Sequence, residues 1–221
     1  LPVPAPVTEP LNVAGKPALL VPLLPGRHVV QPQPTHCQQV GEALARLHDT
    51  ALPCQPVVND ATGLARLEAA LELLPAGWQP AARDVLEQWQ AVSLPEGLIH
   101  GDLFRDNVLF EGDRLTGLLD FYAAGTGPAL YDLAVTVNDW CMQDDLPDAA
   151  LEHALTEGYQ ATRPLPETQL EKLPLALCVA ALRFWLSRLV AERRHLEEAL
   201  PDTVTRKDPL EFQHRFQSPL G

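Results

Sequence analysis

His100-Gly101-Asp102-Leu103-Phe104-Arg105-Asp106-Asn107, and further on Leu118-Leu119-Asp120-Phe121, form the stretch that decides how this chain is read. Between the two pieces, apolar residues flank Glu111-Gly112-Asp113, a turn sequence, so strands over 107–110 and 114–121 are predicted to close a hairpin. Gly97 to His100 reads as a further short strand leading into the first piece. A hairpin folded there returns Asp120 to Asp102 and Asn107, so two carboxylates and one carboxamide face a common spot. Phosphoryl transfer asks for such a set: an acceptor for the proton of an attacking hydroxyl, and hard oxygen ligands for Mg²⁺ bridging the phosphates.

The spacing H-x-D-x-x-x-x-N is that of the kinase catalytic loop, and Asp120-Phe121 stands where kinases carry the metal-binding D-F-G. Gly101 replaces the usual Arg, and Tyr122 the usual Gly. On this reading Asp102 is the base, and Asn107 and Asp120 hold the metal. His100 reads as a structural residue that hydrogen-bonds backbone. Leu109 and Leu119 are hairpin core; in a kinase the first would line the floor beneath adenine.

Working outward, proline is concentrated at the start: nine of 22 fall between Pro2 and Pro34, which keeps that stretch extended. Its strand candidate is 18–24, closed by Pro25-Gly26, and the opening reads as the end of a sheet whose other strands are not present. From Thr35, a candidate N-cap, the period becomes helical through Cys37, Val40, Leu44 and Leu47. Helices are predicted over 64–74, 80–92, 128–142, 147–160 and 174–195. Trp140, Phe184 and Trp185 fall at core positions.

With 221 residues, 46% of them hydrophobic, the chain is long enough and apolar enough for a packed core. A net charge of −13 argues against a surface for nucleic acid or anionic lipid. The longest apolar runs span about ten residues, short of the ~20 that cross a bilayer. No signal peptide is read at the start. Cys37, Cys54, Cys141 and Cys178 show no metal-ligand spacing and read as reduced, mostly buried thiols. A cytoplasmic protein is expected.

The H-G-D loop resembles the aminoglycoside-phosphotransferase and choline-kinase superfamily. HGDLFRDN at 100–107, YDLAVTVNDWC at 131–141 and ALRFWLSRL at 181–189 resemble its homoserine kinase family more specifically, and LPGR at 24–27 and KDPLEF at 207–212 also fit. The resemblance implies an α+β, protein-kinase-like fold of aminoglycoside-phosphotransferase type, mainly the helical C-lobe with an embedded catalytic hairpin. Residues 1–26 would be the remnant of an N-lobe sheet and hinge, and 27–221 the C-lobe. It implies ATP as co-substrate, Mg²⁺ as cofactor and a small amino-alcohol acceptor, most specifically L-homoserine in threonine biosynthesis. Val21 and Leu23, with Leu109 and Leu119, would line the nucleotide, and Asp132 would brace the catalytic loop. The family's Gly-rich loop and phosphate lysine are not in this sequence; Lys16 stands beside the hinge strand and does not fit the second role.

Between Asp102 and Glu157 there are twelve Asp or Glu and two Arg, so most of the surplus charge sits on the motif segment. That acidity suits Mg²⁺ and an ammonium, whether of homoserine, choline or an aminoglycoside. A homoserine carboxylate also needs a cation. Arg183 shares a stripe with Ala176, Ala180 and Ser187 and is the candidate, with Asp139 near the ammonium; Arg105 is also expected to bind the substrate. A structural ion pair of Arg183 with an acidic neighbour competes with that role. So does a catalytically inactive C-lobe fragment with the kinase role as a whole. The segment 121–128 is too short for the activation loop of a protein kinase.

Overall fold

The structure, a computed structural model, describes residues 1–50, 63–144, 146–198 and 208–217. Cys54 lies outside the described residues, whereas Cys37, Cys141 and Cys178 are buried free thiols.

Helix α1 (Pro34–His48) starts one residue before the Thr35 cap predicted for it. Pro34 takes the first helical position, where its fixed φ fits and its missing N–H costs nothing, and Gln33 becomes the N-cap. Helices α2 (Leu64–Ala70), extended by a 3₁₀ turn to Leu73, and α3 (Gln79–Gln90) follow. α4 (Ala129–Trp140) is buried on every side, which its mixed apolar and small residues permit. α5 (Ala149–Thr162) is capped by Asp148, whose carboxylate accepts from the Ala150 and Leu151 N–H groups at 2.8 and 3.0 Å. A short α6 (Glu167–Leu170), the long α7 (Leu173–Glu197) and α8 (Pro209–Gln217) complete the helices. By length and composition α7 is apolar enough to cross a bilayer, but here its small and apolar residues, among them Ala176, Val179, Ala180, Leu182 and Trp185, belong to the common core. Phe216 of α8 packs against Trp185 with ring centroids 6.0 Å apart.

The strand predicted over 18–24 does not form. β1 (Leu11–Val13) and β2 (Lys16–Ala18) make a small antiparallel pair around Ala14 and Gly15, both at positive φ, and from Leu19 to Leu24 the chain joins no ladder among the described residues. Prolines 22 and 25 deny it ladder donors. The segment attaches instead at single points. Arg27 and Phe110 exchange both backbone hydrogen bonds at 2.9 Å, and the Leu118 N–H donates to the Pro2 carbonyl at 2.9 Å.

β3 (Glu96–Ile99) leads into the catalytic loop. β4 (Val108–Glu111) and β5 (Arg114–Leu118) form the predicted hairpin, with Val108 opposite Leu118 and Gly112 turning at positive φ. β6 (Gly125–Pro128), not foreseen because it is short and glycine-rich, pairs antiparallel with β3 and delivers the chain to α4. β7 (Met142–Gln143) and β8 (Leu146–Pro147) make a two-residue ladder before α5.

Helices α1 and α5 approach backbone to backbone. A Cβ at Gly41 would run into the Leu155 carbonyl oxygen, and one at Gly158 into that of Gln38. Neither neighbour is a side chain that could swing away. Gly158→Ala should therefore destabilise the protein by at least about 2 kcal/mol, read as a lower urea midpoint.

Candidate active site

Asp132, in the first turn of α4, is fully buried (0% exposed). Its carboxylate accepts from the backbone N–H of His100 at 2.6 Å and of Gly101 at 2.7 Å. Gly101 sits at φ +75°, and a Cβ there would lie 2.7 Å from the Ala123 carbonyl oxygen, so the Arg that protein kinases carry at this place has no room. The same carboxylate takes a third hydrogen bond, from His48 Nε2 at 3.0 Å. His48 Nδ1 lies 2.7 Å from the Tyr159 hydroxyl, which accepts from Arg163 Nη1 at 3.2 Å. One consistent orientation runs Arg163 to Tyr159 to His48 to Asp132, each group donating to the next. Burial pushes the Asp132 carboxyl up, but the hydrogen bond and charge of His48 and the His100 groups outweigh it and hold it below its usual range. Burial also pushes the Tyr159 hydroxyl up to about 12, so it stays a phenol.

His100 is buried and bonds backbone: Nε2 donates to the Leu119 carbonyl at 2.9 Å, and Nδ1 accepts from the Asp102 N–H at 3.3 Å. Burial lowers its pKa, which suits the neutral ring these bonds require. The loop that follows folds onto itself. Asn107 Nδ2 donates to the Asp102 carbonyl at 2.7 Å and lies 3.4 Å from its carboxylate. The Leu119 N–H donates to the Asn107 carbonyl at 2.9 Å, which brings Asp120, the next residue, beside that pair. Asp120 is exposed and holds φ 59°, ψ 67°, a left-handed conformation uncommon for a residue with a Cβ.

This donor set fits Mg²⁺. Asn107 commits its nitrogen to Asp102 and so keeps its carbonyl oxygen as the free end, and Asp120 presents a carboxylate to solvent. Among the described residues no three His, Cys, Asp or Glu side chains form a metal cluster. Mg²⁺ needs none, being held by one or two carboxylates together with substrate phosphates.

Of the residues expected at the nucleotide, Leu109 is buried and Leu119 half-buried on the hairpin. Leu24, not among the residues expected at the nucleotide, reaches with Leu109 over the face of Gly117. Val21 (42% exposed) and Leu23 (99%) face solvent, because the strand meant to hold them is not formed.

The expected acceptor residues divide. Arg183 Nη1 donates to the Gly101 carbonyl at 2.8 Å and stacks on Phe184, so it stands at the catalytic loop, with no ion pair among the described residues. Asp139 was expected beside the substrate ammonium and Arg105 beside the substrate, but they hold each other. The Arg105 N–H and Nε donate to Asp139 Oδ2 at 2.7 and 3.2 Å, and Arg105 Nη1 reaches the Val30 carbonyl at 3.1 Å. Behind them Arg188 pairs with Glu211 at 2.6 Å, and Arg215 Nη2 donates to the same carboxylate. His48, Arg188 and Arg215 carried no signal in the sequence, since what makes each of them matter is a partner 23 to 84 positions away or a fold contact.

Because Asp132 has a lower pKa folded than unfolded, its contribution is complete above the ordinary value of 3.8 and is lost as pH falls through the folded value. Asp132→Asn should cost about 3 kcal/mol at neutral pH and flatten the acid limb. Urea unfolding at a series of pH values below 3.8 should show the wild type losing stability more steeply than the variant.

Residues 1–165 match the phosphotransferase enzyme family. The homoserine kinase of Pseudomonas aeruginosa is 44% identical over 220 residues, covering 93% of this chain and 67% of that protein. Among solved structures, a choline/ethanolamine kinase family protein from Mesorhizobium loti has a TM-score of 0.66 at 20% identity, covering 98% of this chain and 72% of that one. The GDP and kanamycin complex of APH(2")-IIia has a TM-score of 0.67 at 18% identity, covering 98% and 76%. Such likenesses show the protein-kinase-like fold of the aminoglycoside phosphotransferases. With its catalytic loop braced on Asp132, and matched across three quarters of its length by the family model and across nearly all of it by a curated relative, the chain belongs to the phosphotransferase enzyme family, in its homoserine kinase branch.

Proposed function

We propose that this chain carries the catalytic face of an ATP-dependent kinase acting on the hydroxyl of L-homoserine to give O-phospho-L-homoserine, as in threonine biosynthesis. The observation that carries the reading is the contact of Asp102 with Asn107, with Asp120 next to the residue that closes the Asn107 backbone bond. Asp102 accepts the proton of the attacking hydroxyl. The Asn107 amide oxygen and the Asp120 carboxylate would hold Mg²⁺, which when bound neutralises charge across the phosphates. Leu24, Leu109 and Leu119 supply an apolar floor for adenine. Arg183 uses one of its five N–H donors on Gly101 and has others to offer a substrate carboxylate beside the base. The acidic surplus of 102–157 favours the substrate ammonium.

Steady-state ADP release with homoserine, choline and kanamycin as acceptors tests the reading. Turnover of homoserine alone is expected, and turnover of another acceptor in its place overturns the substrate. Asp102→Asn should lower kcat by about 10²–10⁴, and Asn107→Ala or Asp120→Ala by at least as much, since charge neutralisation carries more of the barrier than the base. Arg183→Ala should raise the homoserine KM about tenfold or more, and an unchanged KM removes Arg183 from the acceptor site.

A second reading, a folded C-lobe without turnover, is favoured by the exposure of Val21 and Leu23. A native circular-dichroism spectrum with no ATP binding by calorimetry would select it.

A further inference from the structure

Tyr159 is wholly buried, and a phenylalanine would fill its place in the core, so its hydroxyl is explained only by what it bonds. It stands 2.7 Å from His48 Nδ1. Asp132, an ionised carboxylate, can only accept, so His48 Nε2 carries a proton toward it. Arg163 donates to the phenol oxygen at 3.2 Å, which leaves the phenol's own proton for Nδ1 and fixes the Nε2–H tautomer. The pair of contacts also fixes the ring: turned over, it would put carbon at both of them.

The outer end of this series is anchored as well. Arg163 is the C-cap of α5, and its Nε holds Asp49, the C-cap of α1, at 3.1 Å. A carboxylate at a helix C-terminus is disfavoured by the dipole, so Asp49 stands there for the guanidinium and against its own helix. Only this outer pair reaches solvent: the Asp49 and Arg163 side chains are 55% and 29% exposed, those of His48 and Asp132 1% and 0%. Water cannot stand in for an inner member.

At the inner end Asp132 Oδ2 serves His48 Nε2 and the His100 N–H together, with the Gly101 N–H on Oδ1. One oxygen is thus shared between the imidazole and the catalytic loop, and a turn of the carboxylate away from either disturbs the other. Asp102 follows directly, its own N–H bonded to His100 Nδ1 at 3.3 Å.

We propose that Tyr159 and Arg163 are positioning residues for phosphoryl transfer: they hold His48 so that Asp132 fixes where Asp102 stands, reaching the loop through two side chains in series. The inference rests on the reading of Asp102 as the base. A small displacement of a base costs rate and leaves ground-state binding intact.

Tyr159→Phe and Arg163→Met should each lower kcat about fivefold, the loss expected for one hydrogen bond, with the KM of ATP and of homoserine unchanged. In the Asp132→Asn background neither should lower it further, because the series is already cut. Amide exchange supplies a readout free of turnover: the His100 and Gly101 N–H groups should exchange faster in Tyr159→Phe than in the wild type, while the amides of α7 keep their protection. Arg163→Met alters a half-exposed side chain and carries the test if Tyr159→Phe loses the fold. An unchanged kcat overturns the inference, as does a loss confined to KM, a loss of the same size in the Asp132→Asn background, or a lower melting temperature with kcat of the folded enzyme kept. If the wild type turns over no acceptor, the kinase reading fails by itself, and unaltered exchange at His100 and Gly101 then overturns the positioning role separately.

Discussion

A carboxylate with no access to water cannot lose a hydrogen bond cheaply, and the catalytic loop hangs on such a group. Asp132 takes two backbone N–H groups from the loop and one imidazole N–H from α1, so any displacement of His100 or Gly101 strands a buried charge. The cost of that displacement is what fixes the loop. It also ties three elements distant in sequence, α1, β3 and α4, to one atom pair. The near-contact of α1 with α5 at Gly41 and Gly158 becomes part of the same constraint, because it sets where His48 can stand relative to Tyr159.

From that anchor the geometry of the site follows by short steps. His100, fixed at its N–H, passes its ring to the Leu119 carbonyl, and Leu119 passes its own N–H to Asn107. The two strands of the hairpin are thereby locked at the end where Asp120 emerges. Asp120 then sits at positive φ, a conformation that neighbours must enforce because the residue itself resists it. The strain falls on the residue whose carboxylate the chemistry needs outside the ladder.

How much of this the sequence discloses depends on whether a feature is local. The hairpin was legible because turn chemistry and alternation lie within fifteen residues, and the long helices because their period repeats. The fold-back that brings Asp120 towards Asp102 and Asn107 was legible for the same reason, since the turn that makes it lies between them. The strand over 18–24 was not, because a strand exists only against an edge, and its β-like composition says nothing of whether an edge is there. Asp139 was read as facing substrate from a local motif, whereas its partners are Arg105 and, through space, Arg215, which no window around it contains. His48 reads as one more residue on a buried helix face. Its role exists only once Asp132 and Tyr159 arrive from elsewhere.

α4 is therefore more than a core helix. One face carries Asp132 and Asp139, which grip the catalytic loop at His100, Gly101 and Arg105; the opposite face walls a cavity with Arg215 and Glu152. Asp139 touches both sides, with Oδ2 on the Arg105 N–H and Oδ1 facing Arg215. Because the helix is buried on all sides, neither face can shift without disturbing a packed neighbour.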